Sequence, residues 1–428
     1  MDEERDPPQV AVIGAGWAGL AAAVQAVGRG ARVTLYEMAR TTGGRARTLG
    51  QDGLAFDNGQ HILIGAYTAT LALMRQVGAS PDVLFWRSPL ALIAPDGQGL
   101  QLPRGAPVLS FVRGVLGHRR WSLGQRLALL RTAAGWRLRG FRCPPDWTVA
   151  RLCAHLPGAV LDELVDPLCV AALNTPMDEA SATVFLRVLQ DALFAGPGSA
   201  DLLLPRAPLS HLLPEPTLDW LEDRHTDLRT GWRVQQLAPH EGGWQVDGEP
   251  FDRVVLACSA VEAARLAEPH APAWAAAARA IDYQPIVTVW LQDPQLRLPR
   301  PMLMLPPDTA GPAQFVFDLR LLGQPEAGFA FVASAASPSL AAGLPSATQA
   351  VVAQARRAFP GAFNAPDTVL HMAAERRATF ACTPGLKRPP MQVAQGLMAA
   401  GDYVDGPYPA TLEGAVRAGL AASQALLA

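Results

Sequence analysis

The sequence predicts an α/β fold: a Rossmann-like parallel sheet assembled from discontinuous segments, with an α+β region inserted between them. Three observations predict it. Residues 10–37 read as strand, glycine turn, helix and strand. A second glycine pair follows at Gly43-Gly44. Near the other end, Asp402 closes a strand-like run just before a last helical stretch.

The first unit begins with a buried strand, Val10 to Ile13, which runs into Gly14-Ala15-Gly16 and then Gly19 at the start of an alanine-rich helix. Gly14 permits the tight turn, Gly16 lets a pyrophosphate approach the backbone, and Gly19 lets helix and strand pack closely. The helix N-terminus then faces the phosphate charge. A second strand, Arg32 to Tyr36, ends at Glu37, whose carboxylate suits the hydroxyls of an adenosine ribose and repels a 2′-phosphate. Beyond it, Gly43-Gly44 gives a second backbone approach to a pyrophosphate, and Arg45 offers a guanidinium for its oxygens. A nicotinamide-only domain has no use for that second pair. Gly401-Asp402 supplies a carboxylate for ribityl hydroxyls, and the helix opening near Leu412 can aim its amides at a flavin pyrimidine edge. The cofactor these features call for is FAD, with Gly14, Ala15, Gly16, Gly19, Glu37, Gly43, Gly44, Arg45, Val234, Gly401, Asp402 and Leu412 as its binding residues.

Because the fingerprint uses both ends of the chain, the FAD-binding domain must be discontinuous, and we assign it residues 8–80, 206–264 and 386–428. The middle return is expected in three runs, Asp227 to Val234, Gly243 to Gly248 and Phe251 to Cys258; their alternating apolar residues and a turn at Asp247-Gly248 predict a hairpin, and Val254–Ala257 a buried parallel strand. Residues 81–205 carry helical periodicity and few strand signals, so they read as a mainly helical, substrate- and membrane-facing insertion. Residues 265–385 carry strand-like runs at Ile286–Leu291, Gln314–Phe317 and Gly328–Ala333, with a helix near Ala347–Phe359, and read as a sheet that floors a substrate cavity. Proline-rich joints fall near 205–216, 299–312 and 384–390.

Composition narrows the function classes. A net charge of −2 argues against nucleic acid as a partner. The five cysteines are odd in number and hold no C-x-x-C pair, which indicates neither a disulfide framework nor a metal site. Met1-Asp-Glu-Glu-Arg-Asp-Pro-Pro lacks the basic and apolar regions of a signal peptide, so a cytoplasmic protein is expected. One stretch departs from this average. From Gly97 to Pro145 there is no Asp or Glu, while nine arginines are interleaved with Phe111, Val115, Leu116, Trp121, Leu127, Leu130, Trp136 and Phe141. Such a pattern suits either an anionic membrane surface or the solvated face of an ordinary helical subdomain. The first would place the protein peripherally on the inner membrane face.

The nucleotide segment, Gly43-Gly44-Arg45 and Gly401-Asp402 with Glu413-Gly414-Ala415 together resemble the flavin amine oxidase and phytoene (carotenoid) desaturase superfamily. A narrower likeness lies in the middle: Asp57-Asn58-Gly59-Gln60-His61, the run Asp166 to Pro176 with Glu179-Ala-Ser181, Asp201 to Arg206, and Thr379 to Pro384. These resemble the squalene-associated flavoproteins of bacterial hopanoid synthesis, the hydroxysqualene dehydroxylases. One departure is Ala418, where the superfamily has Ser before Gly419.

The resemblance implies reductive removal of the hydroxyl of hydroxysqualene to give squalene. The leaving hydroxyl needs protonation or a strong hydrogen bond, and the allylic cation character that develops needs a dry cavity with aromatic walls. Asn174, Asp166, His61 and Tyr283 are the candidates for polar roles there; for His61 and Asn174 a hydrogen-bonded core histidine and a helix cap remain open. No metal is called for. A C30 hydrocarbon would cost on the order of 20 kcal/mol to hold in water, so the substrate is expected from the bilayer or from upstream squalene-synthase-like enzymes. Electrons would come from transient NAD(P)H or a separate reductase, since only one dinucleotide fingerprint is visible. A carotenoid desaturase needs the same tunnel and flavin; an amine oxidase would need an aromatic cage beside it; a non-catalytic binding module would have lost the phosphate-binding residues, which are intact.

Overall fold

The computed structural model describes residues 6–51, 54–305 and 311–428. At its centre are β1 (Gln9–Ile13), α1 (Trp17–Gly28) and β2 (Arg32–Glu37). The two strands are parallel, Val10 opposite Val33 and Ile13 opposite Tyr36. β1 is apolar on both faces because helices or other strands cover both, as a central parallel strand requires. Six of the nine buried positions of helix α1 are alanine or glycine, and that smallness is structural. A Cβ on Gly19 would stand 1.8 Å from the Gly14 carbonyl oxygen, and one on Gly419 would stand 2.0 Å from the Ala18 carbonyl oxygen. The helix therefore lies in contact with both the sheet and the last helix. Ser423, from that last helix, donates to the Ala22 carbonyl at 2.7 Å.

The insertion that follows is more mixed than its periodicity suggests. Its helices include α2 (Pro107–Leu116), α3 (Leu123–Leu138), α4 (Asp166–Leu173) and α5 (Ala182–Phe194), with a π-helical turn at Leu161–Val165 leading into α4. Short strands also occur: Phe85–Ser88 pairs with Leu202–Pro205, which in turn pairs with Leu63–Ile64, so the insertion is stitched back to the nucleotide-binding segment. The proline-rich joint near 205–216 forms two short helices, Leu209–Leu212 and Pro214–Glu222, the second with proline in its first turn.

The middle return corrects one expectation. Asp227–Thr230 is not a hairpin arm; it is β3, a parallel edge strand beside β2. The antiparallel pairs are instead Leu237–His240 with Gly243–Val246 and Gly243–Val246 with Glu249–Phe251. The Asp247-Gly248 turn joins the second pair, with φ of +50° and +88°, as a two-residue type I′ turn needs. β4 (Arg253–Leu256) then runs parallel to β1.

The second sheet contains β5 (Tyr283–Leu291), β6 (Met302–Met304), β7 (Phe315–Asp318), β8 (Phe329–Ala333) and β9 (Val369–Phe380), in the order β6-β7-β8-β5-β9. Helix Leu344–Ala358 packs on it. The joint expected near 299–312 falls partly on residues 306–310, outside the described residues. The chain returns through β10 (Gln392–Ala394) and β11 (Leu397–Ala399) and ends in α6 (Leu412–Leu426). The first sheet thus has the order β3-β2-β1-β4-β11-β10, drawn from three separate stretches of chain.

Candidate functional site

A cavity of about 730 Å³ opens between the two sheets, bounded by the glycine turn, the loop after β2, the start of α6 and the face of the second sheet. The glycine turn leaves a strip of bare backbone on its wall. Gly14 has φ +108°, and a Cβ there would meet the Ala257 carbonyl at 2.7 Å. Gly43 donates its N–H to the Ala15 carbonyl at 2.8 Å, and a Cβ on Gly44 would stand 3.1 Å from Gly16 Cα. Helix α1 begins at this strip with no side chain capping its first amides. Orphan amides beside a backbone cradle are what a pyrophosphate requires. Glu37 stands at the adjacent strand end, only 8% exposed. Its two carboxylate oxygens accept from the Ala15 and Ala39 amides, each at 2.8 Å, which holds the carboxylate at the cavity wall. These features fit a dinucleotide. Gly14, Gly16, Glu37, Gly43 and Gly44 all line the cavity, whereas Ala15 and Gly19 act behind it through backbone contacts.

At the other end of the site the structure joins two residues that sequence reading had given separate tasks. Arg45 Nη2 contacts Asp402 Oδ1 at 2.5 Å, and Arg45 Nη1 donates to the Ala378 carbonyl at 2.7 Å. Asp402 is nearly buried, so the arginine compensates its charge and ties the loop after β2 to the end of β11. Arg388 braces the segment between β11 and α6 by donating to the carbonyls of Asp402 at 3.2 Å and Tyr408 at 3.1 Å. Gly401 precedes Asp402 because a Cβ there would meet the Tyr403 ring at 2.6 Å. Leu412, the first residue of α6, also lines the cavity, after Thr411 caps the helix by accepting from Gly414 N at 3.1 Å. Val234 lines the far side, and its carbonyl accepts from Arg265 at 2.6 Å.

The four polar candidates separate clearly. Asp166 does not line the cavity; its carboxyl accepts from the Met177 backbone, and burial raises its pKa. Asn174 reaches the wall, but every polar atom is engaged. Its Nδ2 donates to the Gln284 carbonyl and Thr379 Oγ1, and its Oδ1 accepts from Ala335 N at 2.6 Å. With φ +48° it ends α4 in a left-handed conformation, so it locks that helix onto the second sheet. His61 lines the cavity with Nδ1 3.0 Å from the Gly59 carbonyl. A carbonyl only accepts, so Nδ1 carries the hydrogen and Nε2 is an acceptor with no partner among the described residues. Burial, with Arg45 nearby, lowers its pKa and keeps the ring neutral. Tyr283 lines the cavity from β5, and no hydrogen bond to its hydroxyl is present among the described residues. Burial pushes its pKa up to about 12, so the phenol stays protonated.

Sequence reading missed Glu375. β9 sends Ala373, Glu375, Arg377 and Thr379 to the cavity, alternate residues of one strand face. Glu375 accepts from Asn58 Nδ2 and from Arg377 N, each at 3.1 Å. The period-2 signal was present, but charged residues on the strand disguised it. An apolar part of the wall comes from the helical insertion, through Leu90, Leu168, Val188, Leu189 and Leu193.

The chain matches the family profile of flavin containing amine oxidoreductases over residues 17–427. It is 29% identical to a hydroxysqualene dehydroxylase of Rhodopseudomonas palustris, over 98% of each chain. It is 27% identical to one of Zymomonas mobilis, over 97% of this chain and 98% of the other. A probable zeta-carotene desaturase of Synechococcus elongatus is 35% identical, but over only 23% of this chain and 22% of its own. Among solved structures, an oxidoreductase from Methanosarcina mazei superposes with a TM-score of 0.75 at 17% identity, covering 97% of this chain and all of that one.

Proposed function

The chain belongs to the flavin containing amine oxidoreductase family, and from that premise we propose that it is an FAD-dependent hydroxysqualene dehydroxylase, an oxidoreductase that replaces an allylic hydroxyl by hydrogen to give squalene. The observation that carries the reading is end-to-end similarity to two hydroxysqualene dehydroxylases, over 97–98% of the chain, against a local match to the desaturase. That local match keeps a carotenoid desaturase as the second reading.

FAD is the cofactor. The glycine strip, the uncapped start of α1 and Glu37 would hold its adenosine and pyrophosphate, and the Asp402–Arg45 pair with the start of α6 would face the remainder. Reduced FAD, when bound, supplies the hydride that replaces the hydroxyl. The protein must supply the other half of the balance, a proton, so that the hydroxyl leaves as water. We assign that proton to Tyr283, whose protonated phenol lines the cavity without a partner among the described residues. His61 is neutral and offers an acceptor, which suits holding the hydroxyl hydrogen rather than giving one. The leucine-rich wall excludes water that would otherwise add to an allylic cation.

The membrane-facing role belongs to α2 and α3. Val108, Leu109, Leu116, Leu123, Leu127 and Leu138 are exposed there among exposed arginines. The aromatic residues of the stretch do not share that surface: Phe111, Trp121 and Trp136 are buried in the core, and Phe141 is half-buried against it. No helix among the described residues is long and apolar enough to cross a membrane, so contact would be peripheral. Electron supply would come from NAD(P)H or a reductase.

The test is anaerobic incubation of the reduced holoprotein with hydroxysqualene, with squalene and with phytoene, followed by product analysis. Squalene from hydroxysqualene is the expected result. A more conjugated product from phytoene, with hydroxysqualene untouched, would transfer the assignment to the desaturase.

A further inference from the structure

We propose that the hydrocarbon cavity ends in a rear pocket beneath α2 and α3 that seats the terminal methyl groups of the substrate chain and thereby sets its length. The proposal rests on the reading that the substrate is a long branched hydrocarbon alcohol.

Behind the leucine wall lies a second cavity of about 30 Å³, lined only by apolar side chains. Leu90, Leu168, Leu189 and Leu193 line both cavities, so the partition is one side chain thick. On its far side stand Phe111 from α2, Leu129, Ala133 and Trp136 from α3, and Phe185 from α5. The volume has room for about two methyl-sized groups, at roughly 10–15 Å³ each on this measure, and an apolar void of this kind stays dry. Trp136 Nε1 is buried with no acceptor among the described residues. Nothing polar is on hand there to satisfy even an indole N–H.

Two further observations point to a ligand end rather than a packing defect. The π-helical turn Leu161–Val165 supplies Leu164 and Val165 to this pocket. Such turns are rare, and they recur where a helix wall is adapted to a site. Space makes the second point. The main cavity of about 730 Å³ falls in the range, roughly 300–1,000 Å³, that holds one drug-sized ligand. A dinucleotide takes much of it, and the distal end of a C30 chain needs further apolar room. The rear pocket adjoins the leucine wall and is lined by the inner faces of α2 and α3.

The chemistry recognised is a branched alkyl terminus with no heteroatom. Each methylene-sized group denied burial costs about fourfold in affinity, so blocking the pocket should discriminate by chain length. The experiment is equilibrium partition of labelled squalane, and of a labelled C15 branched alkane, from detergent micelles into FAD-saturated protein. Ala133→Phe should lower squalane affinity at least tenfold and that of the C15 alkane, short enough to lie clear of the pocket, less than twofold. The double variant Ala133→Phe/Leu129→Ala should return squalane binding to within threefold of the parent. If Ala133→Phe does not accumulate as holoprotein, Ala133→Leu takes its place, with at least a threefold selective loss expected. Equal losses for both alkanes, or none for squalane, overturn the pocket. These readouts need no turnover. A parent protein that leaves hydroxysqualene unchanged while the squalane result holds removes the reaction and keeps the pocket.

Discussion

Tyr283 and His61 show how two side chains on one cavity acquire opposite proton roles from their surroundings. Burial holds the phenol protonated and the imidazole neutral, so near neutral pH only the phenol has a proton to give. Tyr283→Phe should therefore lower the rate of the chemical step about 10²-fold or more, with flavin content unchanged. Single-turnover oxidation of the reduced flavin by substrate measures this, and a loss under threefold would remove Tyr283 from the role. The Arg45–Asp402 pair is a different residue-scale case, because its geometry assigns each partner to the other. Arg45→Ala leaves a nearly buried carboxylate without its cation and should weaken FAD retention. Asp402→Asn alone should weaken it less, and the double variant should recover part of the Arg45→Ala loss. Hydrogen bonds to a charged group contribute about 1.5–3 kcal/mol, and the half-exposed arginine places the pair at the low end of that range. Flavin-to-protein ratios after dialysis give the coupling; strictly additive losses would mean that the pair acts as two independent groups.

Elements carry the next level of explanation. α6 is held at the cavity by more than its apolar face. Glu413, buried in its first turn, accepts from the amides of Ala69 and Thr70 at 3.0 and 2.9 Å and so caps the helix Thr68–Gln76 from outside. Arg417, one turn on, pairs with the same carboxylate at 2.8 Å. Helices α2 and α3 divide their residues by face, Phe111, Val115, Leu129, Ala133 and Trp136 inward, and Leu109, Leu116, Leu123, Leu127, Leu138 and the arginines outward. If that outer face rests on anionic lipid, Arg113, Arg131 and Arg119 in the connection between the helices are suitable probes, being exposed and with no side-chain hydrogen bond among the described residues. Replacing all three by Glu should weaken binding to phosphatidylserine vesicles at least a hundredfold, at roughly 1 kcal/mol per near-surface cation. Binding of the parent should also fall steeply with salt. Co-sedimentation reports both, and equal sedimentation of parent and variant would leave the face an ordinary solvated one.

For the whole molecule, stability should carry the mark of Asp57, which accepts from Thr48 Oγ1 at 2.8 Å and Leu209 N at 2.9 Å in the seam between the nucleotide-binding segment and the middle return. Burial pushes this carboxyl up to about 6. The folded protein thus holds the proton more tightly than the open chain, so the contribution is full below about pH 4 and is lost as pH rises through 6. The difference is on the order of 3 kcal/mol. Asp57→Asn should flatten the dependence of denaturant midpoint on pH between 4 and 7, and a variant with the parent's slope would refute the assignment. The same seam marks the boundary of what one dimension of sequence can say. The βαβ unit, its glycines and Glu37 were legible from the sequence alone, because their constraints are local: a turn that admits no Cβ, a helix start and a strand end within some thirty residues. The placement of Asp247-Gly248 in a turn was legible for the same reason. Tertiary structure alone decided that Asp227–Thr230 joins the parallel sheet, that β9 is a strand despite its charges, that Asn174 is a fully bonded lock, and that Arg45 faces Asp402 across 357 residues. Each of those depends on which distant segment arrives alongside, and hydrogen bonding, burial and charge compensation between segments are set only when the sheets assemble.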